Sequence, residues 1–78
     1  MEMYGKDVSE ALDAVLGAGA SQLDPATPLD TLVWDSMARI AALAAARMRF
    51  SNKLEVAALS GCRTVGELAS AISGRTVP

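Results

Sequence analysis

Few residues in this sequence can do chemistry, and they centre on Trp34-Asp35-Ser36-Met37. The tetrapeptide follows a Pro-rich segment, Asp24-Pro25-Ala26-Thr27-Pro28-Leu29, and opens a 13-residue stretch from Met37 without Gly, Pro or an acidic residue. A Ser so placed stands at the mouth of a helix, exposed, above the first free backbone N–H groups. A negatively charged group on its hydroxyl is best tolerated there, because the helix dipole favours an anion by about 0.3–1 kcal/mol. The simpler alternative is that Ser36 is a helix N-cap and nothing more.

Direct catalysis has little to build on. The chain has no His, so neither a Ser-His nor a Cys-His pair is available. Cys62 is a single thiol without a second ligand, so a zinc site lacks donors. The glycines are scattered and form no phosphate-cradling cluster. The chain is expected to have no catalytic residues and no metal.

Stepping outward, 78 residues allow one small domain, expected over 1–78 with its core at about 7–73 and short flexible tails. A chain this size buries only about 60% of its unfolded surface, so the core is thin. Hydrophobic residues make up 51% and charged residues 21%, which excludes a disordered composition. One Phe, one Trp and one Tyr leave an aliphatic core of Ala, Leu, Val and Met. A net charge of −2 argues against a nucleic-acid binder. A lone Cys forms no intramolecular disulfide and fits a reducing compartment. The first residues have no charged leader or apolar h-region, and no apolar stretch nears the roughly 18 residues of a membrane span. The expectation is a soluble cytoplasmic monomer that contacts neither membrane nor nucleic acid.

Periodicity predicts four helices and no strand. The first runs from about Asp7 to Leu16, with Val8, Ala11, Leu12, Val15 and Leu16 as its apolar stripe. Asp7 or Ser9 is expected to cap it, and Gly17 to end it. From Ala18 to Asp35 the chain reads as a long loop, anchored by Leu23, Leu29, Leu32 and Val33, with room for a helical turn after Pro28. The second helix, about Ser36 to Arg49, shows a stripe of Met37, Ile40, Ala41, Ala44 and Met48, widened by Leu43 and Phe50. Ser51-Asn52-Lys53 is a turn, and a short third helix fits about Glu55 to Leu59. Thr64 caps the fourth helix, Glu67 completes a capping box, and Gly74 closes it before a tail, Arg75-Thr76-Val77-Pro78. Leu12, Val15, Ile40, Leu43, Leu68 and Ile72 are expected to be buried together.

This order of elements around Asp-Ser-Met resembles the acyl and peptidyl carrier proteins, over about Val8 to Ile72. Thr27-Pro28-Leu29 resembles the loop that leads to the family's serine. Phe50, fourteen residues after Ser36, is similar to the aromatic that often ends its second helix. Thr64-Val65-Gly66-Glu67-Leu68 resembles the start of its last helix. The resemblance implies an all-α, small four-helix bundle with a long loop between helices one and two. It also implies a covalent 4′-phosphopantetheine, taken from coenzyme A by a phosphopantetheinyl transferase and attached to Ser36, with Asp35 completing the motif at the helix start. The terminal thiol of that arm would carry an acyl group for acyl-loading, condensing or tailoring enzymes.

Departures from the family refine the expectation. Fatty-acid-type carriers usually have an acidic second helix; here it carries Arg39, Arg47 and Arg49, and no Asp or Glu follows Asp35. Trp34 replaces the small residue often found before Asp-Ser. Both point to polyketide or related secondary-metabolite biosynthesis, with Trp34, Met37, Arg39 and Arg47 as the partner surface and Arg39 in solvent. The alternative is a peptidyl carrier of a nonribosomal peptide pathway. A non-carrier helical interaction module and a helix-turn-helix DNA binder complete the field; the acidic net charge speaks against the last.

Overall fold

A computed structural model describes residues 4–74. Within it lie α1 (Lys6–Leu16), α2 (Ser36–Phe50), α3 (Val56–Ser60) and α4 (Val65–Ser73), with no strand among the described residues. The fold is all-α, as expected. The tails assigned to the two ends fall largely on 1–3 and 75–78, outside the described residues. The core begins earlier than Asp7, however, because Tyr4 is buried.

Helix α1 buries Val8, Ala11, Leu12 and Val15, the stripe that its spacing dictates. Neither Asp7 nor Ser9 caps it; the N-cap is Gly5, without a side-chain hydrogen bond. The Asp13 carboxylate is not spent on solvent either, for it accepts the Ser21 N–H at 3.0 Å and ties the end of α1 to the next segment.

Two single-turn 3-10 helices, Ala20–Gln22 and Leu29–Thr31, break up the long loop, the second directly after Pro28. Leu29 is buried, and Leu23 and Leu32 pack on the core at half burial. Val33 is not an anchor, being 72% exposed. A backbone ladder carries much of the anchoring: Leu29 N–H donates to Arg63 C=O (2.8 Å), Val65 N–H to Thr27 C=O (3.0 Å), and Gly66 N–H to Pro25 C=O (2.9 Å). The loop therefore lies along the start of α4, where its backbone groups are satisfied.

The closeness of that approach requires Gly66, since a Cβ there would sit 2.9 Å from Pro25 Cβ and 3.1 Å from Pro25 O. The backbone oxygen cannot swing away as a side chain would. Gly66→Ala is expected to cost about 1–3 kcal/mol, the usual range for overpacking, despite the higher helix propensity of Ala. A urea midpoint at or above that of wild type would show that the loop is not clamped here.

Helix α2 faces the other way from the sequence reading. Its buried residues are Ala38, Ala42, Ala45 and Ala46, while Ile40 is 65% and Met48 84% exposed. Leu43 is only half-buried. Helices α1 and α4 pack against α2, and a stripe of methyl groups lets their backbones come close. Dense packing at short range thus outweighs the larger transfer energy of Ile and Met.

The turn after α2 places Ser51 in the left-handed region, φ 50°. Asn52 Nδ2 then donates to the C=O groups of Ala71 (2.9 Å) and Ile72 (3.1 Å), satisfying carbonyls at the end of α4. Helix α3 contributes Leu59, fully buried. Helix α4 starts as its sequence predicts: Thr64 Oγ1 accepts the Glu67 N–H at 3.2 Å. Glu67 reaches one residue further back than in a standard capping box, accepting the Arg63 N–H at 3.0 Å. Val65, Leu68, Ala69 and Ile72 fill the core.

Tyr4 closes one end of the core, and its Oη is buried without a hydrogen bond among the described residues. Burial, and secondarily the Asp24 charge, raises its pKa above the usual 10.0. Below about pH 10 both folded and unfolded chains keep the phenol proton. Above it the unfolded chain loses the proton first, so stability falls as pH rises. Tyr4→Phe is expected to be neutral or slightly stabilising at pH 7, because it deletes an unpaired polar group. It should also flatten the alkaline decline above about pH 10. Urea midpoints at neutral and alkaline pH check both, and a clear loss at pH 7 would reveal a partner for the hydroxyl.

Candidate functional site

The mouth of α2 is built by Asp35, not by Ser36. Asp35 is the N-cap, and its Oδ1 accepts the Ala38 N–H at 2.9 Å. The carboxylate thereby meets one of the orphan donors of the first turn and complements the positive helix end. Ser36 is the first helical residue, exposed, and its hydroxyl makes no hydrogen bond among the described residues. The capping role that could have accounted for this serine is already filled by its neighbour.

Open surface surrounds the hydroxyl. Met37 is 78% exposed, and with Val33, Leu16 and Ala41 it lines a shallow hollow of about 370 Å³ between the start of α2 and the end of α1. Trp34 turns inward instead, half-buried against the core. Arg39 does not point into solvent as expected. Its guanidinium lies 5.8 Å from the centre of the Trp34 ring, and its Nε is buried without a hydrogen bond among the described residues. Trp34 and Arg39 thus brace each other beneath the site.

Arg47 is exposed two turns beyond Ile40, whereas Arg49 pairs with Glu10 at 3.4 Å. Of the three arginines, Arg39 lies on Trp34, Arg49 meets Glu10, and Arg47 faces solvent without an ion pair among the described residues. Cys62 Sγ contacts Ala58 C=O at 3.5 Å. Burial, with a lesser contribution from Glu67, pushes its thiol pKa up, opposite to what a nucleophile needs. Among the described residues no group of three or more His, Cys, Asp or Glu is arranged to hold a metal.

A family model for the phosphopantetheine attachment site matches residues 6–72, from the first residue of α1 to the next-to-last of α4. The chain belongs to the phosphopantetheine-attachment family. Domains of this family are the place of covalent 4′-phosphopantetheine attachment, which makes this chain a carrier. Carrier domains of this kind are not themselves catalysts, and they interact with a phosphopantetheinyl transferase and with acyl-handling enzymes. Comparison with curated proteins and with solved structures yields no match. No described helix of the carrier is long and apolar enough to cross a membrane.

The sequence reading missed part of this carrier's surface. Ile40 and Met48, assigned to the core, stand outside and line a hollow with Lys53 and the half-buried Leu54. The signal was present in the alanines at 38, 42, 45 and 46, which share one helix face as well as the larger residues share another.

Proposed function

We propose that this chain is an acyl carrier protein of polyketide or related secondary-metabolite biosynthesis, with the arm on Ser36 Oγ. The free hydroxyl of Ser36 carries the reading: exposed, unused in capping, and set at a helix N-terminus whose cap is supplied by Asp35. These residues fit the group. A phosphodiester there meets the positive helix end, and the Asp35 carboxylate is already held by Ala38 N–H. Exposed Met37 and Val33 leave the approach open.

Attachment asks little of the chain. The Ser36 oxygen forms a bond to the phosphorus of phosphopantetheine in coenzyme A, adenosine bisphosphate departs, and the hydroxyl proton passes to the transferase. Without His, the carrier leaves that base to its partner. Once attached, the group supplies a flexible thiol that holds an acyl chain as a thioester. Trp34 and Arg39 stiffen the base of the site, and Asp35 holds the first turn. On this reading the carrier works as a monomer in the cytoplasm, where its single Cys stays reduced.

The non-acidic α2 supports a secondary-metabolite assembly line over fatty-acid synthesis, because basic enzyme patches find no carboxylate on it. The test has two stages. Coenzyme A and a broad-specificity transferase should add one phosphopantetheine by intact mass. The product should then accept an acyl group from an acyltransferase faster than an amino acid from an adenylating enzyme. Preference for the amino acid would make it a peptidyl carrier, and no adduct would end the carrier reading.

A further inference from the structure

Arg39 is the fourth residue of α2, and Ser36 is the first. Side chains three apart on a helix are neighbours, and each leans toward the helix N-terminus. Arg39 follows that lean. Its guanidinium reaches back to Trp34, two residues ahead of Ser36, and lies 5.8 Å from the ring centre. The charge therefore sits at the mouth of α2 and not down its flank. The side chain makes no ion pair, and its buried Nε makes no hydrogen bond, among the described residues. An indole face attracts the charge but accepts few of the hydrogen bonds that a guanidinium can donate.

An anionic substituent on Ser36 meets like charge at this end of the molecule. Asp35 presents its carboxylate there as the cap, and Asp30 lines a hollow with Trp34. The positive helix end is already drawn on by Asp35, which takes the Ala38 N–H. Arg39 is the one basic residue in the first two turns of α2. Arg47 and Arg49 lie about 16 and 20 Å further along the axis from Ser36, at a rise of about 1.5 Å per residue. Arg63 lines the same hollow as Trp34 and is the competing cation.

We propose that Arg39, perched on Trp34, is a positioning residue for the arm on Ser36: its guanidinium N–H groups donate to the phosphodiester oxygens and fix the root of the arm at the mouth of α2. The proposal rests on the carrier reading. Arginine suits both contacts, because its planar cation packs on an aromatic face while its fork of N–H donors matches two phosphate oxygens. Trp34 holds the guanidinium close to its point of use, so less side-chain freedom is lost when the pair forms. The same pairing offsets the Asp35 carboxylate beside it.

The experiment compares isotope-labelled protein before and after modification, with intact mass confirming one adduct on Ser36. In wild type, attachment should move the guanidinium nitrogen resonances of Arg39, a readout that needs no variant. The phosphorus resonance of the arm should differ between wild type and Arg39→Gln. Urea midpoints of both forms read the coupling. Attachment should favour folding about three- to fivefold more in wild type than in Arg39→Gln at low salt, the size of a good surface ion pair. That difference should shrink by about 0.5 M salt, where exposed charges are screened. Arg39→Lys should keep part of the coupling, and Arg63→Gln all of it. A role confined to bracing Trp34 predicts the same loss in unmodified and modified Arg39→Gln. Equal losses of that kind, unmoved Arg39 resonances, a phosphorus resonance indifferent to Arg39, or a coupling that follows Arg63 would overturn the proposal and leave the carrier reading standing. A wild-type protein that takes no phosphopantetheine on Ser36 would overturn both.

Discussion

Ser36→Ala is expected to abolish phosphopantetheine attachment while leaving stability within about 0.5 kcal/mol of wild type. The split follows from the division of labour at the start of α2. Capping belongs to Asp35, whose bond to Ala38 N–H does not involve the Ser36 hydroxyl. Had Ser36 been the cap, its loss would have cost about 0.5–2 kcal/mol. That penalty should instead appear in Asp35→Ala, which keeps the hydroxyl. Ala is moreover the best helix former, so the first turn loses nothing by the change. Intact mass and urea midpoints measured on the same samples read the two effects separately. An adduct on Ser36→Ala would move the attachment to another hydroxyl, and a stability loss as large as that of Asp35→Ala would mean that the cap is shared.

The second large effect is on the fold. Leu68 is fully buried on α4, and Leu68→Ala should cost about 2–5 kcal/mol. A domain of this length has roughly 4–12 kcal/mol in total, so the variant should sit close to unfolding at ambient temperature. Ile40→Ala removes comparable carbon from a side chain that is 65% exposed, and should change the midpoint by about 0.5 kcal/mol or less. The contrast between the two is the measurement. Similar losses in both variants would mean that α2 is rotated relative to its place in this structure.

That contrast also shows where sequence reasoning reaches and where it stops. Helix α4 was legible because Thr64 and Glu67 satisfy specific backbone donors, a local rule that no neighbour overrides. The stripe of α1 was legible because Asp7 and Glu10 mark the outside against Val8, Leu12 and Val15, although Asp13, of the same charge, turns to the next segment. Helix α2 offers no such mark. Arginines scatter around it and nearly everything else is apolar, so hydrophobicity alone cannot choose a face, and choosing the bulkier one put Ile40 and Met48 inside. What decides is the separation of the helices, which depends on partners distant in sequence. Asp-Ser-Met marks Ser36 as the candidate in sequence, yet the freedom of its hydroxyl was not legible, because Asp35 and Ser36 are both competent caps. Arg39 was misplaced for a related reason: its charge suggested solvent, whereas the flat face of Trp34 holds it. The ladder between the loop and α4 left no mark in side-chain chemistry beyond Gly66.

The backbone ladder between residues 25–29 and 63–66 bears on how the molecule breathes. Its three bonds join two segments nearly forty positions apart, so neither can open while the other stays shut. The amides of Leu29, Val65 and Gly66 are expected to exchange together with the core of α4, which hydrogen exchange would check. Helix α3 has five residues and one buried side chain to hold it, and its amides open with far less work. Opening of residues 25–29 and of the start of α4 is therefore expected to be coupled, with α3 the first of the helices to open.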